Sequence, residues 1–293
     1  MKPTNDPRSL LRDLEQRARR RFGQHFLRDQ GVVRRMVAGA RVSPGDRVVE
    51  IGPGLGILTE ELLAAGVELT AVELDRDLAE YVRLRFPEVR LIEGDAARLD
   101  WTDVTPGSGW KVVANLPYNV GTTVLMQMVR QPKTFASVTV MLQLEVVQRL
   151  MAEPGSKAFG ALSVQAQARA RPRFVLKLPP GAFHPQPKVD SAVIHFDVYP
   201  VPATGRCPAA HFDKVVRAGF AHRRKTLRNS LAASWGRERA DAAISAAGVD
   251  PACRGEQLNL AGYVRLAEAD HDHLRDGAAD DDTVANETPA TEE

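Results

Sequence analysis

The sequence predicts a mixed α/β protein in which a parallel sheet flanked by helices is followed by a small, all-helical C-terminal domain. From about residue 23 to 198, short apolar runs alternate with helix-spaced patterns, which is typical of right-handed strand–helix–strand units. Beyond a linker marked by Pro200, Pro202 and Pro208, only helix-spaced patterns occur. With 293 residues, the chain is long enough to form both domains.

Seven apolar runs are the predicted strands of a single sheet. Five of them lie near residues 47–51, 68–73, 89–92, 111–114 and 137–142, with helical patterns between them. The last two, 174–178 and 191–196, lie close together and are joined by a proline-rich loop over 179–188. We therefore expect these two strands to form a hairpin-like pair that closes one edge of the sheet.

The region from 210 to 267 has apolar residues at helical spacing: Phe212, Val215, Val216, Phe220, Leu227 and Leu231. Arg217, Arg224 and Arg228 are spaced seven and four residues apart, so we expect them on one helix face. We assign residues 21–200 to the sheet domain and 206–267 to the helical domain.

The two ends of the chain differ in charge from its body. The formal net charge is only +2, but residues 268–293 contain ten acids and one arginine, which leaves 38 basic and 27 acidic residues before them, a net charge of +11. A basic body suits a polyanionic partner such as RNA. We predict a flexible basic arm over residues 1–20 and a disordered acidic tail over 268–293.

Several classes of protein are excluded by composition. No stretch of 18 uncharged apolar residues occurs, so a membrane span is not expected. The N-terminal segment carries charges where a signal peptide needs an apolar core. The only cysteines, Cys207 and Cys253, are too few for a disulfide framework or a zinc site, and we predict no metal. A cytoplasmic monomer fits best.

The tetrapeptide Asn115-Leu116-Pro117-Tyr118 follows a buried apolar run, at a strand end where open α/β sheets place their ligands. The Asn115 side-chain oxygen and the Pro117 carbonyl can accept the two hydrogens of an exocyclic amine, while the Tyr118 ring stacks on a planar base. The alternative is a simple strand-ending turn, because Asn and Pro are common turn residues.

A glycine loop and two acids lie at the ends of three other predicted strands. Gly52 and Gly54 follow the first strand and allow close approach of a ligand to the backbone. Glu73 follows twenty-one residues after Gly52, where an acid accepts hydrogen bonds from ribose hydroxyls, and Asp95 would reach the adenine edge. Ile57 stands where a dinucleotide motif needs a third glycine. Together these residues predict a nucleoside cofactor.

With these residues placed, the chain resembles the ribosomal RNA adenine N6-dimethyltransferases, a family of S-adenosylmethionine-dependent enzymes. The matching stretches occur in family order: 21–27, 50–56, 72–75, 94–96, 115–118, 141–147, 183–191 and 223–231. The resemblance implies a Rossmann-like methyltransferase domain that binds S-adenosyl-L-methionine. It implies cofactor contacts from these residues: His25, Leu27, Gly52, Gly54, Glu73, Asp95, Ala96 and Asn115.

The resemblance also implies the reaction, which is N6,N6-dimethylation of two adjacent adenosines near the 3′ end of 16S rRNA during biogenesis of the small ribosomal subunit. Asn115 and Pro117 would then hold the amine, and Tyr118 and Phe183 would sandwich the base. A ring that anchors the loop in the core is the alternative for Phe183. Four basic residues are expected to bind the RNA: Arg223, Arg224, Lys225 and Arg228.

Three other functions compete with this one. A methyltransferase of the antibiotic-resistance type would do the same chemistry on large-subunit rRNA. A non-enzymatic assembly factor would bind immature small subunits without catalysis. A nicotinamide oxidoreductase would explain the glycine loop and Glu73, but it would not explain Ile57 or the tetrapeptide that begins at Asn115.

Overall fold

The computed structural model describes residues 25–284, with side chains to residue 276; the predicted arm over 1–20 lies outside them. The chain divides into two compact units. The sheet unit consists of the described residues up to Met151 together with Ala170–Val201, and the helical unit consists of Ala152–Arg169 together with the residues from Pro202 onward. The predicted boundaries are therefore wrong for 152–169, whose apolar residues, such as Phe159 and Val164, are buried in the core of the helical unit.

The sheet unit contains one large sheet and one small one. The strands are β1 Phe26–Leu27, β2 Arg47–Ile51, β3 Glu68–Glu73, β4 Arg90–Glu93, β5 Trp110–Asn115, β6 Phe135–Gln143, β7 Ala170–Leu178, β8 Phe183–His184 and β9 Ser191–Val198. The large sheet has the order β4-β3-β2-β5-β6-β9-β7, and β1 pairs with β8 separately. Strands β2 to β6 run parallel, and β9 is antiparallel to both of its neighbours. The predicted α/β class and the edge pair are confirmed.

Helices follow the parallel strands of this unit, as the alternating pattern requires. They are α1 Gln30–Ala40, α2 Ile57–Ala64, α3 Arg76–Arg85, α4 Trp101–Val104, α5 Gly121–Val129 and α6 Leu144–Leu150. The side chains of Asp29 and Asp75 accept hydrogen bonds from the first amides of α1 and α3. The middle of β2 and of β5 is buried and apolar, so their polar residues lie toward the ends: Arg47 and Lys111 at the amino ends, and Glu50 and Asn115 at the carboxyl ends.

The helical unit packs five helices around one apolar core. They are α7 Ala161–Gln167, α8 Ala209–Phe220, α9 Leu227–Trp235, α10 Arg237–Ala247 and α11 Leu260–Val284. The prediction that Arg217, Arg224 and Arg228 share one helix face is wrong, because α8 ends at Phe220. The chain turns before Thr226, whose side chain accepts a hydrogen bond from an amide of the first turn of α9.

The acidic tail also differs from its prediction, because α11 continues through residue 267 to Val284. Asp270 is fully buried and accepts hydrogen bonds from Arg239 at 2.7 and 2.9 Å. The Glu268 carboxylate accepts one from the Arg206 amide at 2.8 Å. Glu268 and Asp270 are partners of basic residues in the unit, so the prediction of disorder is wrong for this first part of the tail; residues 285–293 lie outside the described part. Along the described residues, no helix combines the length and the apolar character that crossing a membrane requires.

Candidate active site

The loop between β2 and α2 takes its shape from glycine. Gly52, Gly54 and Gly56 have φ angles of 70°, 58° and 80°, a region that other residues rarely occupy. A Cβ atom on Gly54 would also lie 3.3 Å from the ring of Phe26. The Gly52 amide donates to the Val72 carbonyl at 2.8 Å, which ties the loop to β3. The loop thus presents bare backbone at the carboxyl edge of the sheet.

Glu73 ends β3 and holds this loop from behind. One carboxylate oxygen accepts a hydrogen bond from the Gly54 amide at 3.2 Å, and the other accepts from the amides of Leu74 and Asp75 at 2.9 and 3.0 Å. Burial raises the pKa of this carboxyl, and the three amide bonds oppose the rise. Glu73 therefore shapes the loop, and its predicted contact with ribose hydroxyls stays a prediction.

Glu50 is a site residue that the sequence reasoning missed. It is 1% exposed and lines the pocket described below. One of its oxygens accepts a hydrogen bond from the Thr59 hydroxyl at 2.7 Å, and the other has no partner among the described residues. Burial raises the pKa of Glu50 to about 8. The sequence signal for this residue was a single acid within the apolar run that forms β2, because a buried charge needs a partner and so marks a candidate site.

Asn115 is the last residue of β5, next to Met141 of β6. The carbonyl of Pro117, predicted to accept an amine hydrogen, instead accepts the amides of Val120 and Gly121 at 3.2 and 2.9 Å. Since a carbonyl oxygen has two lone pairs, this one is occupied by the start of α5, and that assignment is wrong. No described residue donates to the carbonyl of Leu116, which also lines the pocket. The carbonyl of Leu116, the residue that follows Asn115, is therefore a backbone acceptor that no described residue occupies.

Tyr118 is fixed by neighbours from two other segments. Its hydroxyl lies 2.6 Å from the Ser191 Oγ atom, and its ring centre lies 5.8 Å from that of His25. The His25 Nδ1 atom lies 2.7 Å from the Pro185 carbonyl oxygen, so Nδ1 carries a proton and donates it. The Nε2 atom of His25 is then the ring nitrogen left to meet a ligand. Partial burial raises the pKa of Tyr118, against the effect of its bond to Ser191.

The small sheet joins two distant segments at the same place. In the pairing of β1 with β8, Phe26 lies opposite His184 and Leu27 lies opposite Phe183. Phe183 is 3% exposed and belongs to the core cluster that also contains Leu27 and Leu178. Phe183 therefore anchors its loop in the core, as the alternative interpretation held, while part of its ring lines the pocket.

These segments enclose one pocket in the sheet unit, with a volume of about 790 Å³ including its open side. Eight predicted site residues line it: His25, Leu27, Gly52, Gly54, Asn115, Pro117, Tyr118 and Phe183. Three predicted cofactor residues do not line it, because Glu73 lies behind the loop and Asp95 and Ala96 follow β4. The Asp95 carboxylate accepts the Ala97 amide at 2.9 Å, and the roles predicted for Asp95 and Ala96 stay predictions.

The four predicted RNA-binding residues fall into two pairs. Arg228 donates to Asp241 through its Nε atom at 2.6 Å, and Arg223 lies 3.4 Å from the Glu256 carboxylate and donates to the Lys157 carbonyl. Arg224 and Lys225 are exposed, with no ion-pair partner among the described residues. Lys225 also lines a shallow groove with Asn229, Ala232, Ala233 and Arg237.

Comparison with known proteins gives a family for this arrangement. A sequence profile of the ribosomal RNA adenine dimethylase family matches residues 15–270. The ribosomal RNA small subunit methyltransferase A of Syntrophotalea carbinolica is 42% identical over 263 residues, which cover 89% of this chain and all of the relative. The enzyme of the same name from Methylococcus capsulatus is 44% identical over 252 residues, 85% of this chain and 96% of the relative.

Two solved structures share the fold over most of the chain. The crystal structure of the 23S rRNA methyltransferase ErmE has a TM-score of 0.65 and 26% identity, over 83% of this chain and 98% of that one. A dimethyladenosine transferase from Plasmodium falciparum has a TM-score of 0.68 and 21% identity, over 83% of this chain and 96% of that one. With the profile and the curated relatives, these likenesses show that the chain belongs to the ribosomal RNA adenine dimethylase family.

Proposed function

We propose that this protein is an S-adenosylmethionine-dependent enzyme that dimethylates N6 of two adjacent adenosines near the 3′ end of 16S rRNA, acting as a cytoplasmic monomer on the small ribosomal subunit. The observation that carries the proposal is that residues suited to a cofactor and residues suited to an amine line the same pocket. A glycine loop with an incompletely satisfied acid, Glu50, faces two acceptors for an amine, the Asn115 side chain and the Leu116 carbonyl. Relatives named small-subunit methyltransferases, 42–44% identical, support the choice of RNA.

The residues of the pocket fit S-adenosylmethionine. Its methionine part carries an ammonium, and Glu50 offers a buried carboxyl oxygen that no described residue occupies. The bare backbone at Gly52 and Gly54 leaves room for the chain of the methionine part. Glu73, Asp95 and Ala96 follow the next two strands and would hold the nucleoside part. When bound, the cofactor supplies a methyl group on a sulfonium, which leaves as a neutral sulfide.

The protein's main task is to improve the nucleophile. The lone pair of an adenine N6 atom is delocalised into the ring and attacks poorly. Acceptance of both amine hydrogens, by the Asn115 side chain and the Leu116 carbonyl, favours a tetrahedral nitrogen and stabilises the positive charge that develops there. Both acceptors are held rigidly, one at the end of β5 and the other in the turn before α5. Their fixed position supplies orientation as well as electrostatics.

The target base has to leave its stack to enter the pocket. Tyr118 offers a ring on which the flipped base stacks, and Phe183, which lines the same pocket, would bound it from the other segment. The monomethylated base keeps one amine hydrogen for Asn115 or Leu116. A second transfer therefore uses one of the same two acceptors, and the cationic product nitrogen loses its proton without a side-chain base.

We assign RNA binding in the helical unit to cationic side chains that form no ion pair with a carboxylate among the described residues. Arg228 is neutralised by Asp241, so its charge contributes little to the surface potential. Lys225 and Arg237 line a groove whose floor carries the small side chains of Ala232 and Ala233, which leaves space for a phosphate backbone. Lys225, Arg224 and Arg237 are therefore the cations that we assign to the RNA, and Arg223 and Arg228 mainly hold the unit together.

The proposal is tested with methyl-labelled S-adenosylmethionine and ribosomal subunits from cells that lack the modification. We expect label to appear as N6,N6-dimethyladenosine in 16S rRNA of small subunits. Label in large subunits alone would keep the chemistry and replace the substrate, as in the 23S rRNA methyltransferase that shares the fold. Tight binding to small subunits without label would replace the enzyme with an assembly factor.

A further inference from the structure

Ser191 is the first residue of β9, and it lies at the end of the sheet where the parallel strands finish and where the pocket is. Because β9 runs antiparallel to β6, it begins where β6 ends, and Ser191 lies opposite Gln143. Ser191 is fully buried and does not line the pocket. Its hydroxyl nevertheless meets the hydroxyl of Tyr118 at 2.6 Å, a short and therefore well-formed hydrogen bond.

This bond fixes the far end of the Tyr118 ring. The near end of the side chain is fixed by the backbone, since the carbonyl of the preceding residue, Pro117, accepts two amides at the start of α5. On one side the ring faces His25, with ring centres 5.8 Å apart and an angle of 31° between the planes. A ring held at both ends cannot swing about its Cα–Cβ bond, so its position beside the pocket is set. Rotation about its own axis leaves the hydroxyl in place, and on one face that rotation meets the His25 ring.

We propose that Ser191 is a positioning residue for the methyl transfer, which acts by holding the Tyr118 ring in the position at which adenine stacks. This inference rests on the proposed function of the tetrapeptide from Asn115 to Tyr118. Since Ser191 is buried and does not line the pocket, it acts through the Tyr118 hydroxyl and has no direct part in cofactor binding. Its removal changes how precisely N6 is aligned, and alignment enters kcat.

The expected effects follow from the strength of one neutral hydrogen bond, which corresponds to a factor of about two to ten. Ser191→Ala and Tyr118→Phe each remove the same bond from one side. We expect each to lower kcat by about two- to tenfold while the KM for S-adenosylmethionine stays within about twofold of the wild type. Because the bond can be lost only once, the double variant should be about as active as the slower single variant.

The experiment is this double-mutant cycle, measured as initial methylation rates of small subunits with saturating cofactor. Thr139→Val is the matched control, because it removes a 2.8 Å bond to His195 between β6 and β9, on residues that do not line the pocket. It should leave kcat unchanged. Single effects that multiply in the double variant, or a Ser191→Ala enzyme as fast as the wild type, would overturn the inference.

Two further readouts separate the remaining explanations. Thermal unfolding of all four proteins shows whether a loss of kcat follows a loss of stability, and a Ser191→Ala protein that unfolds at the assay temperature leaves Tyr118→Phe to decide. Tyr118→Phe must then lower kcat with KM for the cofactor unchanged, or the inference fails. A wild-type protein that methylates no subunit would refute the proposed function itself. Variants as active as an active wild type would refute only the inference about Ser191.

Discussion

Replacing Glu50 with glutamine should make the free protein more stable and its cofactor complex weaker. The carboxyl is 1% exposed, has one hydrogen bond to Thr59 and leaves its second oxygen without a described partner. Burial without full compensation penalises the charged form, which raises the pKa of Glu50 from 4.5 to about 8. Glutamine has nearly the same shape and no charge, so it removes this penalty.

The size of the stability change depends on pH. Because the pKa is higher in the folded protein than in the unfolded chain, the folded state has its full stability below about pH 4.5. It loses stability as the pH rises to about 8. At pH 7 the penalty amounts to about 3 kcal/mol, because this pH lies about 2.5 above the ordinary pKa of 4.5 and still below the raised pKa. Glu50→Gln should therefore raise Tm at pH 8 and have little effect near pH 4.5.

Binding should change in the opposite direction. At pH 7 about nine in ten Glu50 carboxyls are protonated in the free protein, given a pKa of about 8. A bound ammonium favours the carboxylate, so binding of S-adenosylmethionine should release nearly one proton. Loss of a charged hydrogen bond lowers the affinity by about 10- to 100-fold. Glu50→Gln should bind more weakly and release no proton from this residue.

Calorimetric titration in two buffers with different ionisation enthalpies measures both the affinity and the proton release. Glu68→Gln is the matched control. Glu68 is exposed at the start of β3, far along the strands from the pocket, so the same chemical change there should affect neither stability nor binding. Equal affinity and equal proton release in Glu50→Gln and wild type would refute the assignment of Glu50 to the ammonium. An unchanged Tm at pH 8 would refute the burial penalty.

Three further predictions concern the rest of the machinery. Asn115→Ala should lower kcat by about 100-fold with little change in cofactor affinity, measured by single-turnover methylation and by titration. Glu73→Ala should weaken cofactor binding before it affects kcat, because it releases the glycine loop; a change in kcat alone would contradict this. Arg237→Gln should weaken RNA binding and reduce the salt slope by about one, whereas Arg228→Gln, which breaks the pair with Asp241, should leave the slope nearly unchanged.

The fold was predictable because its signals are local. The first five predicted strands agree with β2 to β6 to within about two residues, since each is a short apolar run next to a helical pattern. Glycines at 52 and 54 and the acid at 73 were also found, because their residue types follow from backbone conformation and spacing. These features depend on a few neighbouring residues, and a single sequence contains them.

The errors concern contacts that spacing does not specify. The acceptor beside Asn115 was placed at Pro117 instead of Leu116, because only the start of α5 decides which carbonyl is already occupied. Arg228 was assigned to RNA binding with no sign of a carboxylate partner, and in the folded unit it donates to Asp241. Composition gave a disordered tail, although Asp270 is the buried partner of basic residues from two other helices. For Arg228 and Asp270 a partner distant in sequence determined the outcome, and for Pro117 the hydrogen bonds that begin α5 did.

Two buried acids, Glu50 in the pocket and Glu73 behind the glycine loop, lie near the carboxyl edge of the sheet. The charge of Glu73 adds to the cost of charging Glu50. Glu73 is satisfied by three backbone amides, so it is a permanent part of the fold. Glu50 has an oxygen with no hydrogen-bond partner among the described residues. Its charged form is therefore uncompensated until a cationic ligand binds. Cofactor binding should consequently stabilise the sheet unit most at high pH, where the uncompensated charge of Glu50 costs most.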